Sequence, residues 1–220
     1  MSELWDGRLP RPVIMPLGDG ALLVRFGDRL DDSANRAALL LFARLQEDPI
    51  HGVLEVVPSL VSVLLRYDFE AISPTRLGGE IALRIGQGAL ADRPKLQVVH
   101  IRFDGPDLSD VATELGLSIP EFILEHNARP LRVLTTGFAP GFIYCGFHPT
   151  RLIVPRRTSV RANVPAGSVL FAAGQTAIAA TEIPTGWHVI GSTPFRNFLP
   201  ENDPPTLVHA GDEIRFEEVR

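Results

Sequence analysis

The chain has 220 residues, and its 26 acidic against 21 basic side chains give a net charge of −5. That balance argues against a general nucleic-acid surface, which needs clustered positive charge, and 45% hydrophobic residues exclude a disordered chain. No apolar run approaches the ~20 residues of a membrane span, and the N-terminal region lacks the apolar core of a signal peptide. The single cysteine, Cys145, excludes internal disulfides. We therefore expect a soluble cytoplasmic protein with one large domain or two small ones.

The first third of the sequence alternates strand and helix patterns. Gly18-Asp19-Gly20 is a strong hairpin turn between two apolar runs. Alanines and leucines then recur at helical spacing, after Asp31, Asp32 or Ser33 as a possible cap. The predicted elements are strands 13–17 and 21–26, a helix 34–46, strands 53–57 and 60–67, and a weaker helix from Ser73-Pro74 to Leu83. This order predicts a small antiparallel sheet covered by helices, an α+β layer.

A stretch rich in Gly, Ala and charge, residues 86–94, marks the predicted boundary between domains 1–93 and 94–220. Ser118 and Glu121 form a capping box at the start of a helix. The predicted elements of the second domain are a strand 96–103, a helix from Asp107 to Leu115, a helix from Ser118 that carries His126 and ends before Pro130, and short strands at 131–134, 169–173, 177–181, 188–190, 206–208 and 214–216. Many short strands between Gly/Pro turns predict a β-barrel or sandwich.

Residues 137–144 combine two glycines and a proline with three aromatic side chains, Phe138, Phe142 and Tyr144. The glycines and the proline predict an irregular loop from which the rings project. Such a loop is typical of the wall of a binding pocket. The alternative is that the rings plug the core of the barrel, as apolar side chains usually do.

Three arginines, Arg156, Arg157 and Arg161, lie close together in an otherwise acidic chain. On an extended segment Arg157 and Arg161 project to the same side. Because a guanidinium group binds carboxylate or phosphate with two N–H groups at once, one interpretation is an anion clamp for a small carboxylated or phosphorylated molecule. The other is a solvated surface, or ion pairs with Glu182, Glu201 or Asp203.

Several single residues are also candidates for a site. Gln175 and Thr176 could hydrogen-bond a ligand amide or satisfy a turn, and Trp187 between two turns suits either a pocket wall or the core. His126 is the candidate catalytic base, because imidazole titrates near neutrality, although a half-buried structural histidine has the same pattern. Cys145 fits a buried thiol better than a nucleophile.

Several familiar motifs are absent from the sequence. It contains neither the P-loop nor the glycine-rich fingerprint of dinucleotide-binding folds, and no Gly-x-Ser-x-Gly nucleophile elbow. The six histidines show no metal-ligand spacing. We therefore expect no metal site.

Motifs of the second half occur in the order and spacing of one known family, and weaker matches at 18–24 and 55–59 extend the similarity over nearly the whole chain. The matching strings are Gly137-Phe138-Ala139-Pro140-Gly141-Phe142-Ile143-Tyr144, Pro155-Arg156-Arg157, Val164-Pro165-Ala166-Gly167-Ser168-Val169, Gln175-Thr176, Gly186-Trp187 and Gly211-Asp212-Glu213-Ile214-Arg215-Phe216. The sequence resembles the family that contains allophanate hydrolase subunit 1, the B-type component of 5-oxoprolinase and a sensor-kinase inhibitor, also called carboxyltransferase subdomains C and D. In this family a Gly is usual at the position of Ala177, and a Gln at that of His188.

The resemblance implies an N-terminal ferredoxin-like α/β domain and a C-terminal cyclophilin-like β-barrel with two short helices. It also implies a partner homologous to allophanate hydrolase subunit 2 or to the C-type component of 5-oxoprolinase, and a third lactam-utilisation subunit. By resemblance this chain binds no cofactor alone, the assembled complex uses ATP, and the aromatic loop, the arginine segment and Gln175-Thr176 line the site.

Two functions of different classes follow from these observations. The leading hypothesis is a non-autonomous subunit of a hydrolase complex that acts on the amide or lactam of a small carboxylated substrate. The alternative is a regulatory protein that inhibits a sensor histidine kinase by accepting a partner helix in an apolar groove around Phe138, Phe142 and Tyr144.

Overall fold

The computed structural model describes residues 10–86 and 94–219, and the chain divides into two units, residues 1–93 and 94–220. The first unit contains β1 Val13–Pro16, β2 Ala21–Arg25, α1 Asp32–Glu47, β3 Val53–Pro58, β4 Ser62–Tyr67 and α2 Pro74–Arg84. Each of the six elements predicted for this part of the sequence is confirmed, with ends shifted by a few residues. In the described part of the chain, no helix is both long and apolar enough to cross a bilayer.

The first unit is a four-stranded antiparallel sheet with helices on one face. The strand order is β1-β2-β4-β3, and alternate side chains such as Leu22, Val24 and Leu65 lie in the core. Of the three predicted capping residues, Asp31 caps α1, because its carboxylate accepts a hydrogen bond from the Ala34 amide at 2.9 Å. The alanines and leucines of α1 form its buried face, as their spacing predicts.

The second unit is built mainly of strands, with two short helices and one 3-10 turn. Its elements are β5 Leu96–Ile101, α3 Leu108–Glu114, α4 Ile119–His126, β6 Leu131–Thr136, β7 Ile143–Gly146, the 3-10 turn Thr150–Leu152, β8 Arg161–Val164, β9 Ser168–Ala172, β10 Gln175–Ile178, β11 Ile183–Thr185, β12 His188–Ser192 and β13 Glu213–Glu218. Both helices are confirmed, and the predicted capping box of α4 is present in full.

Seven of these strands form one mixed, curled sheet in the order β12-β9-β10-β7-β6-β13-β5. The pair β13–β5 is parallel, whereas the other neighbours are antiparallel. Strands β12 and β5 are the two edges of this sheet. Ser192, the last residue of β12, and Arg102, which directly follows β5, nevertheless exchange two backbone hydrogen bonds of 2.9 Å. The sheet therefore curls until its two edges meet, around a core that includes Phe122, Phe171 and Phe216.

The two faces of the curled sheet contact different clusters of apolar side chains. Phe171 lies in the enclosed core with α3 and α4, whereas its neighbours Leu170 and Ala172 belong to a second cluster. Val164 of β8 and Ile183 of β11 also belong to this second cluster, and β8 and β11 pair with each other as a separate two-stranded sheet. We call the two sides of the sheet the enclosed face and the opposite face.

The structure corrects several strand predictions in the second unit. Strands β8 and β11 were not expected, and β7 begins at Ile143, inside the segment that we predicted to be a loop. The predicted strand 206–208 is wrong, since that segment forms only an isolated bridge between Phe198 and Thr206. A side chain instead satisfies the backbone polar groups of Val208. The Asn197 carboxamide accepts a hydrogen bond from the N–H of Val208 and donates one to its C=O.

Candidate functional site

Four aromatic side chains form a continuous cluster on the second unit. The ring centroids are 5.5 Å apart for Phe138 and Phe142, 4.7 Å for Phe142 and Tyr144, and 5.9 Å for Tyr144 and Trp187. These separations are typical of favourable edge-to-face and tilted contacts. Phe142, Tyr144 and Trp187 belong to the second apolar cluster, so this aromatic cluster lies on the opposite face of the sheet.

The loop before β7 presents one of these rings to solvent. Gly137, Phe138 and Gly141 have φ angles of 116°, 72° and 77°, and a Cβ atom on Gly141 would overlap Phe198, so only glycine fits there. Phe138 holds this left-handed conformation without being a glycine, and its side chain is 71% exposed. Phe142 is buried in the second apolar cluster. The loop therefore exposes the ring of Phe138 and buries that of Phe142.

Hydrogen bonds between residues 155–157 and residues 186–188 hold Arg156 beside this cluster. The Pro155 carbonyl accepts a hydrogen bond from His188 Nε2 at 3.0 Å, and the Arg157 amide donates to the Gly186 carbonyl at 2.8 Å. These bonds place Arg156 opposite Trp187, and its guanidinium carbon lies 5.7 Å from the ring centroid. At that distance a cation interacts favourably with the face of an indole.

Arg157 and Arg161 share one buried carboxylate, that of Asp107. Oδ1 of Asp107 accepts hydrogen bonds of 2.5 Å from Arg157 Nη1 and from Arg161 Nη2. Oδ2 accepts from Arg161 Nε at 3.2 Å and from the Val189 amide at 2.8 Å. Burial alone would raise the pKa of Asp107, but these bonds and the two positive charges outweigh it and hold the pKa below its usual value.

This ion pair corrects two predictions. The partners suggested for the arginines do not bind Arg157 or Arg161; Glu182, one of them, accepts a hydrogen bond from Asn163 instead. Asp107 stands at the N-cap of α3, as predicted, but its side chain makes no capping bond. The sequence did not predict this contact because Asp107 precedes Arg157 by 50 positions. The predicted helix cap also accounted for an aspartate at this position.

Gln175 and Thr176 project from opposite faces of β10. Thr176 pairs with Phe171 in the strand register and shares its face, the enclosed one. Gln175 pairs with Ala172 and lies on the same face as Tyr144, which pairs with Ala177. Gln175 is 93% buried, and its Oε1, also buried, has no hydrogen-bond partner, which is unusual for a buried acceptor.

Thr176 connects two buried histidines in the enclosed core. Its Oγ1 lies 2.8 Å from Nε2 of His126 and 2.8 Å from Nε2 of His148. His126 Nδ1 is 2.7 Å from Asn127 Oδ1, and since a carboxamide oxygen only accepts, Nδ1 carries the proton. Burial lowers the pKa of His126 to about 4. The candidate base therefore lies on the enclosed face, away from the aromatic cluster.

Cys145 lies on the same enclosed face, in the main core. Burial raises the pKa of its thiol, so it stays protonated, as suits an unreactive cysteine. Across residues 10–86 and 94–219, no group of three or more His, Cys, Asp or Glu side chains is arranged to hold a metal ion.

A model of the carboxyltransferase domain, subdomain C and D, matches residues 12–208. The chain belongs to this family. It is 40% identical over 210 residues to the 5-oxoprolinase B subunit of Escherichia coli O157:H7, covering 91% of this chain and 93% of that protein. It is 34% identical over 218 residues to the 5-oxoprolinase B subunit of Bacillus subtilis strain 168, covering 92% and 91%.

Solved structures are similar as well. The crystal structure of TTHA0988 superposes with a TM-score of 0.81 at 33% identity, over 91% of this chain and 40% of that one. This chain thus spans two fifths of the length of TTHA0988. Kluyveromyces lactis urea amidolyase shares the fold, with a TM-score of 0.75 at 16% identity over all of this chain and 15% of that one.

Proposed function

We propose that this chain is a subunit of an ATP-dependent hydrolase complex that opens a lactam or amide, with 5-oxoproline as its substrate. The observation that carries the proposal is the similarity, over more than nine tenths of both chains, to the B subunits of two 5-oxoprolinases. The described residues offer no self-contained catalytic set on the opposite face, which suits a subunit that needs partners to turn over substrate.

The site on the opposite face has the groups that such a substrate requires. A carboxylated lactam presents a carboxylate, a ring N–H and a flat apolar ring. Arg156, above Trp187, supplies positive charge for the carboxylate, the unpaired Oε1 of Gln175 suits the ring N–H, and Tyr144 and Trp187 supply aromatic surface. Phe138, which contacts Phe142 in the same cluster, is exposed and is available to cover a ligand.

The finer description of the fold is part of the same proposal. In the first unit, β2 and β3 flank β4 and are linked by α1, a split β-α-β arrangement typical of ferredoxin-like domains. The curled sheet of the second unit, with its edges joined and its ligand groups outside, supports a cyclophilin-like barrel. We assign these names to residues 1–93 and 94–220.

The names of the relatives, which are subunits of 5-oxoprolinases, support the proposal of partners. We propose that this chain acts with a second chain that is homologous to allophanate hydrolase subunit 2 or to the C-type component of 5-oxoprolinase. A third lactam-utilisation subunit joins them, and the assembled complex, rather than this chain alone, uses ATP.

Reconstitution of the complex tests the function. The purified chain is combined with its two proposed partners, and release of ADP and of glutamate from 5-oxoproline is measured with and without ATP. We expect ATP-dependent turnover only when all subunits are present. A complete complex of folded subunits that releases no glutamate would overturn the proposal.

A further inference from the structure

The three arginines of the segment are not equivalent, because the carboxylate of Asp107 forms ion pairs with Arg157 and Arg161 but not with Arg156. Arg161 directs Nε and Nη2 at Asp107, and Arg157 directs Nη1 at it. Arg157 also donates to Ser159, at 3.4 Å to its carbonyl and 3.3 Å to its hydroxyl. Five of the six side-chain nitrogen atoms of these two arginines therefore already donate a hydrogen bond.

Asp107 is itself saturated. Its side chain is only 2% exposed, and its two oxygens accept four hydrogen bonds, three from guanidinium groups and one from the Val189 amide. A carboxylate offers about four acceptor positions in all. Asp107 thus has no capacity left for a third arginine.

Arg156 is the arginine that remains. Within residues 10–86 and 94–219, no carboxylate lies within ion-pair distance of its guanidinium group, which is exposed above Trp187. Its neighbours on both sides are fixed, Pro155 by His188 and Arg157 by Gly186 and Asp107. The backbone of Arg156 is therefore held in place while its charge stays free.

We propose that Arg156 alone binds the substrate carboxylate, and that Asp107 is a positioning residue that withholds Arg157 and Arg161 from it. The identity of the substrate in this inference rests on the proposed function, but the division of roles among the arginines does not. A site with one free guanidinium beside an indole selects a monocarboxylate. Asp107 therefore sets specificity without touching the ligand.

The first experiment compares three single variants in a Trp5→Phe chain, where Trp187 is the only tryptophan. The fluorescence of Trp187 is titrated with 5-oxoproline, with the neutral lactam 2-pyrrolidinone and with acetate. We expect Arg156→Gln to weaken binding of both carboxylates at least tenfold without changing that of 2-pyrrolidinone. Arg157→Gln and Arg161→Gln should bind both carboxylates within about threefold of the parent chain and lower only the melting temperature.

The second experiment tests the role of Asp107 by rescue. The double variant Asp107→Asn/Arg156→Gln frees the two paired guanidinium groups, so we expect it to regain at least half of the lost preference for acetate over 2-pyrrolidinone. The control is Asp110→Asn/Arg156→Gln, which changes an exposed carboxylate on α3. It should not restore the preference for acetate. A purely structural Asp107 would give no rescue, and circular dichroism establishes that each variant is folded.

The outcomes separate this inference from the proposed function. Acetate binding that depends on Arg156, without 5-oxoproline binding or turnover, would refute the substrate and leave the division of roles intact. A folded Arg157→Gln or Arg161→Gln chain that loses carboxylate binding as Arg156→Gln does would overturn the inference. So would a parent chain in which no carboxylate changes the fluorescence of Trp187.

Discussion

Acidification should destabilise the second unit through His126, whose pKa burial lowers to about 4. The imidazole lies among Phe103, Phe122, Phe171 and Phe216. In the folded chain it stays neutral down to about pH 4, whereas in the unfolded chain it takes up a proton near its ordinary pKa of 6.5. Protons therefore bind preferentially to the unfolded chain, and stability falls as the pH drops from 6.5 towards 4.

The size of the effect follows from these two values. The interval between 6.5 and about 4, at about 1.4 kcal/mol per pH unit, corresponds to about 3 kcal/mol of unfolding free energy once the pH is below 4. At pH 5 the expected loss is about 2 kcal/mol, since the unfolded imidazole is already protonated and the folded one is not. His148 adds to the loss, because burial and the charges of His126 and Arg129 also lower its pKa.

Urea unfolding between pH 7 and pH 4.5 measures this loss. Fluorescence of Trp187 in a Trp5→Phe background reports on the second unit, and the slope of stability with pH is compared between the parent chain and His126→Gln. Carboxylates contribute equally to both slopes, so the difference belongs to the histidines. His100→Gln, at a largely exposed position, serves as the control and should keep the parent slope. A His126→Gln chain with the parent slope would refute this account of the buried histidine.

Three further predictions concern single positions. Gly105→Ala should lower the yield of folded chain and the melting temperature strongly, because its Cβ would overlap the Val189 carbonyl; a melting temperature within 2 °C of the parent chain would contradict this close approach. Asp31→Ala should cost about 1 kcal/mol in urea unfolding through loss of the α1 cap, while Asp31→Asn keeps an acceptor and should cost a few tenths; equal losses would argue against capping. Cys145 should resist a thiol reagent in the native chain and react fully in urea; rapid native labelling would show that it is accessible.

Local patterns in the sequence were enough to predict the first unit and the two helices of the second. Turn residues, caps and the two periodicities act within a few positions of each other, so β1 to α2 were all found. The capping box at Ser118 fixed the start of α4. By contrast, β8 and β11 are four and three residues long, too short for alternation to distinguish them from the loops around them.

The composition of the candidate site was predictable from the sequence, but its arrangement was not. The aromatic loop, Arg156 and Trp187 were identified from residue type, and the structure brings them together. Gln175 and Thr176 are neighbours in the sequence, yet they project from opposite faces because both belong to β10, which begins at Gln175. The strand predicted from the sequence began at residue 177, so it did not include them. The role of Asp107 depends on contacts 50 and 54 positions away, which no local pattern encodes.

The parallel pairing of β13 with β5 has a consequence for synthesis on the ribosome. It joins positions 117 residues apart, since Glu213 pairs with Leu96, whereas the first unit is complete in sequence at Arg84. Translation at about 5–20 residues per second means that the first unit can fold roughly 6–26 s before β13 emerges. During that interval the sheet of the second unit lacks β13, so its apolar core stays incompletely covered until that strand emerges.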